Sequence, residues 1–165
     1  MNPSTFPTWR TLPPALRGLG RWLTLVQIVG YTTALVFVRQ TTRLTPAGIV
    51  AHYRGSDTTE GAMQFPKSFT EMLTITHTHL LSMAVLFALS GVGLALCERV
   101  SERWKRWLAV EPFVALLVSF ISMWLMRYVN PRFSTLLALS SGLMALTFYL
   151  QAALVLRELG WREPR

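Results

Sequence analysis

The chain is expected to fold as an all-α integral membrane protein: a four-helix transmembrane bundle with a short interfacial amphipathic helix in its first external loop. Three observations lead there. Apolar residues make up 52% of the 165 positions and gather in four long blocks, where a soluble core would scatter them. Charged residues are only 15%, against about 25% in an ordinary soluble domain. Most of the sixteen Lys and Arg flank the apolar blocks, as basic residues do beside a membrane.

Residues 1–17 carry Pro3, Pro7, Pro13 and Pro14 and read as a poorly structured tail, with Trp9 and Trp22 at headgroup level. No cleavable leader is expected, because no small-residue cleavage site precedes the first block. One transmembrane domain then covers 18–160. Its first span, roughly 19–39, is the least apolar, with Gln27, Gly30, Tyr31, Thr32 and Thr33 suited to close helix packing.

Residues 40–67 form the external loop. Within it Thr45 stands at an N-cap position, Pro46 at the first helical position and Gly55 just past the end, so a surface helix is expected over 46–54. Ser68 with Glu71 three residues later is a capping box that opens the second span, roughly 69–97. The third span, roughly 107–128, holds Glu111 and Pro112 near its start. Asn130-Pro131 then turns the chain into the fourth, roughly 133–157, with Ser134 and Thr135 as cap candidates.

Four spans put both termini on one side. That side collects Arg10, Arg17, Arg21, Arg99, Arg103, Lys105, Arg106, Arg157, Arg162 and Arg165; the other has Arg39, Arg43, Arg54, Lys67, Arg127 and Arg132. The asymmetry places both termini in the cytoplasm of an inner (plasma) membrane and the first loop outside, toward the periplasm of a Gram-negative cell. The net charge of +8 is therefore assigned to lipid contact. No aromatic-interleaved basic patch suggests nucleic acid.

The three histidines all fall on the outer side. His52 is on the surface helix, and His77 and His79 stand where the second span enters the membrane. Two residues apart on a helix, His77 and His79 point about 200° away from one another, so they do not chelate one ion by themselves. Three readings follow. The pair is interfacial, bonding to carbonyls or water. Or one of them ligates a haem b, with Met126 or Met123 of the third span, His52, or a partner subunit supplying the second ligand. Or His52 joins His77 or His79 in a copper or zinc site, helped by Asp57, Glu60, Glu71 or a Met. Glu111 reads as a helix-start carboxylate at the edge of the third span, paired with Arg106 or Lys105, with a proton relay as the sharper alternative.

Cys97 stands alone, which excludes an intrachain disulfide and any CxxC site. No phosphate loop, HExxH, GxSxG or chain of membrane acids is present. A self-contained enzyme or secondary transporter is thus not expected, and catalytic residues are assigned to none of the positions. The T-H-T-H run at 76–79 resembles small membrane components of bacterial electron-transfer systems. The small size, the modest buried core it allows and the scattered aromatics (six Trp, nine Phe) lead to the expectation of a non-catalytic subunit of an electron-transfer or metal-oxidase complex, meeting a larger membrane partner and a periplasmic redox protein. The alternatives are an autonomous b-type cytochrome and a copper- or zinc-handling assembly factor.

Overall fold

The structure, a computed structural model, describes residues 7–56 and 63–160. The described residues form five helices: α1 (Pro14–Thr42), α2 (Pro46–Arg54), α3 (Phe69–Ala95), α4 (Glu102–Tyr128) and α5 (Phe133–Leu159). All but α2 are long and apolar enough to cross a membrane. At ~1.5 Å per residue, each is longer than the ~30 Å hydrocarbon core it has to cross.

Local chemistry explains most boundaries. The Ser68 hydroxyl accepts the Glu71 N–H at 3.3 Å while the Glu71 carboxylate accepts the Ser68 N–H at 2.7 Å, so the capping box closes as expected. The Thr45 hydroxyl accepts the Gly48 N–H at 3.0 Å, Pro46 follows, and Gly55 ends α2 at φ 85°. Between α1 and α2 the backbone turns through Arg43 and Leu44, both left-handed. The turn brings Gly48 so close to α1 that a Cβ there would lie 1.9 Å from the Thr42 carbonyl oxygen. Only glycine permits that approach.

Other boundaries differ from the sequence reading. α1 starts at Pro14, inside the expected tail, because a proline at the first helical position sacrifices no hydrogen bond. The described residues ahead of it, 7–13, are held by packing. The Trp9 N–H donates to the Leu96 carbonyl at 3.0 Å and the Trp9 indole Nε1 donates to the Gly93 carbonyl at 2.7 Å. Trp9 is therefore buried against Cys97, Val155 and Leu159, while Trp22 is exposed. α4 begins at Glu102, well ahead of its apolar block, since the charged first turns can extend beyond the membrane. Neither Ser134 nor Thr135 caps α5. Arg132 takes the cap position, and the Asn130 side chain accepts the Arg132 N–H at 2.9 Å.

The core is built by α3, α4 and α5 with Tyr31 of α1; α4 and α5 are the most extensively packed pair, and α1 packs on α5 and touches α3 only slightly. Tyr31, Phe87 and Phe148 meet at mid-bundle, with Tyr31 and Phe148 ring centroids 4.5 Å apart. α1 is the least buried span. Its outward surface, with Val26, Val29, Val36 and Phe37 exposed, is suited to lipid or to another protein.

Candidate functional site

Two regions carry the polar chemistry. The first is the mouth of the bundle opposite the chain termini. Phe69, Trp124 and Tyr128 form an aromatic group there, with Trp124 and Tyr128 stacked at 5.5 Å. Amphipathic rings of this kind favour the membrane–water boundary. The Trp124 indole donates to the Thr76 hydroxyl at 2.9 Å. That bond fixes α3 against α4 and sets His77, the next residue, at the depth of the aromatic group. Arg127 and Arg54 close the rim, donating to the Lys67 and Met126 carbonyls.

His77 and His79 are both exposed on the outside of α3, as are Thr74, Thr78 and Ser82. Thr74 and Ser82 turn their hydroxyls back onto their own helix. Met126 and Met123 are buried inside the bundle. The structure therefore does not bring His79 and Met126 into one space, and the residues of this chain do not fit a His–Met haem. His52 lies elsewhere. α2 rests on α1, α4 and α5 rather than on α3, and the half-buried His52 ring packs edge-on against Tyr53 at 4.9 Å. Burial, with Lys67 nearby, holds its imidazole below the usual range. Among the described residues no three His, Cys, Asp or Glu side chains gather as a metal site. Asp57 and Glu60, the other donors considered, lie outside the described residues.

The second region lies inside the bundle. Pro112 has no N–H, so the Leu108 carbonyl loses its helical partner. Gln151 of α5, fully buried, donates its side-chain amide to that carbonyl and accepts the Ser90 hydroxyl of α3 on its Oε1. One side chain thus joins three spans. The Ser119 and Ser140 hydroxyls meet at 2.8 Å between α4 and α5. Glu111 is also inside, 9% exposed, and neither of its carboxylate oxygens has a hydrogen-bond partner within the described chain. The expected pairing with Arg106 or Lys105 does not form. Lys105 reaches Glu102 at 2.8 Å, and the early start of α4 carries Glu111 about two and a half turns into the helix.

At the terminal end, Glu158 is nearly buried and is approached by Arg10 at 3.5 Å and Arg99 at 4.0 Å. Arg21 donates to the Leu159 and Gly160 carbonyls, capping α5. Burial pushes the Cys97 thiol up to about 11, which keeps it protonated at neutral pH.

Sequence reading found the histidines and Glu111 but missed Gln151. The available signal was the proline, since an in-helix Pro112 implies an orphan carbonyl and hence a donor on a neighbouring span.

The fold and its polar interior define a polytopic α-helical membrane protein. Residues 43–165 match the model of a transmembrane helical domain family, Aq_1264_TM, and the chain belongs to that family. No curated protein and no solved structure matches the chain.

Proposed function

We propose that this protein is a small integral-membrane subunit that docks onto a larger bacterial complex of electron-transfer or metal-oxidase type. The observation that carries the reading is the outward placement of His77 and His79, with Thr78 between them, on a transmembrane helix. Ionisable side chains on a spanning helix are rare, and polar side chains there are ordinarily turned to a protein neighbour. The thinly packed α1 adds apolar surface for a partner. The basic asymmetry supports an inner-membrane orientation with cytoplasmic termini, which turns α2 and the histidine mouth toward a periplasmic redox protein. The T-H-T-H resemblance supports the electron-transfer type.

The test is purification of the tagged chain from native membranes in mild detergent, followed by a reduced-minus-oxidised spectrum of whatever remains attached. A stoichiometric complex with a haem or copper signature is expected, lost in the His77→Leu/His79→Leu variant. A chain that runs alone with lipid from wild-type membranes would overturn the reading.

A further inference from the structure

A cavity of about 100 Å³ lies between α1, α3 and α5 near the terminal end of the bundle. We propose that it binds the hydroxylated ring of a membrane-dissolved phenol or hydroquinone. Three features specify that class, and none depends on the docking reading above.

The first is access. Leu23 of α1 and Leu89 and Val92 of α3 line the cavity and are also exposed on the bundle surface. Its mouth is therefore the seam where α1 and α3 scarcely touch. A ligand entering there comes laterally, from the lipid.

The second is shape. Trp9 lies over Gly20 so closely that a Cβ on Gly20 would meet its ring at 2.4 Å, and the same indole forms one end of the cavity. A dry cavity of about 150 Å³ admits benzene. A smaller one that is open along one side accepts a single ring inserted part-way, stacked toward an aromatic wall.

The third is polarity. The Thr24 hydroxyl donates to the Gly20 carbonyl at 2.8 Å, the Ser90 hydroxyl donates to the Gln151 Oε1, and the Trp9 indole N–H donates to the Gly93 carbonyl. With those hydrogens committed, and the Gln27 amide N–H donated to the Leu86 carbonyl at 3.4 Å, the Thr24, Ser90 and Gln27 side-chain oxygens remain as acceptors among the lining residues. The wall asks for a hydrogen-bond donor. A ring O–H supplies one; an acyl chain does not.

The experiment measures equilibrium binding of 2-decyl-1,4-hydroquinone and of its dimethyl ether to the full chain in lipid nanodiscs. Saturable binding of one hydroquinone per chain is expected, with the ether about ten-fold weaker because it has no O–H. Thr24→Val, which keeps the side-chain shape and removes an acceptor, is expected to weaken the hydroquinone about ten-fold while leaving the ether unchanged. Absence of saturable hydroquinone binding would overturn the proposal. Equal binding of the two compounds would also overturn it, by showing an unselective apolar cleft. The comparison of the two ligands on the wild-type chain does not depend on any variant folding.

Discussion

Gln151 supplies to the Leu108 carbonyl the hydrogen bond that Pro112 cannot. Within a bilayer no water stands ready to do so, and an unsatisfied backbone group in hydrocarbon is expensive. The same amide holds Ser90, so the proline's defect becomes a join between α3, α4 and α5.

Gln151→Leu is accordingly expected to destabilise the bundle by about 1–3 kcal/mol, the cost of leaving buried polar groups unpaired. Pro112→Ala restores the backbone N–H, so the double variant should lose less than the sum of the two single changes. A double-mutant cycle on unfolding in mixed detergent measures the difference. Strict additivity would mean that the two residues are not coupled.

Glu111 makes the opposite case. Its carboxylate is enclosed without a partner in the described chain, and replacing such a group by a neutral isostere is commonly neutral or stabilising. Glu111→Gln should therefore unfold no more easily than the wild type in the same assay. A loss of more than about 1 kcal/mol would show that a partner stabilises the carboxylate.

Trp9 and Cys97 give a third prediction. The buried thiol is held protonated beneath the Trp9 segment, so maleimide should label it slowly at neutral pH. Gly20→Ala puts a methyl group where the Trp9 ring sits and should lift the segment, speeding labelling at least several-fold. Unchanged labelling would show that Trp9 does not guard the thiol.

These features separate what was legible in the sequence from what was not. The caps of α2 and α3 are local: Thr45–Pro46–Gly55 and Ser68–Glu71 carry their chemistry within one or two turns, and both form as read. The four spans follow from apolar length alone. The Trp9 contact was hidden because it joins residues far apart in sequence, and a proline-rich segment looks unstructured until its docking site on Gly20 and Gly93 is known. The Gln151 bond is similarly non-local. Helical spacing could not say which side of α3 faces the bundle, so a pairing of His79 with Met126 was conceivable from sequence although His79 is exposed and Met126 is enclosed.

His52 should make the α2 region sensitive to pH. Its folded-state pKa is lowered from 6.5 by burial and then by Lys67, so below about pH 6.5 the unfolded chain binds a proton that the folded chain resists. The contribution to stability is full above that pH and falls as pH drops toward the lowered folded value. Hydrogen exchange of α2 amides should accelerate between pH 7 and 5 after correction for intrinsic rates. His52→Gln should remove the excess; its persistence would assign it to another group.

The central claim is that the outer face of α3 meets protein, and a photo-crosslinking side chain at Thr78 tests it most directly. Irradiated in native membranes, a benzoylphenylalanine there is predicted to give one protein adduct of defined mass, while the same probe at exposed Leu139 of α5 labels lipid. Lipid adducts alone at position 78 would contradict the account.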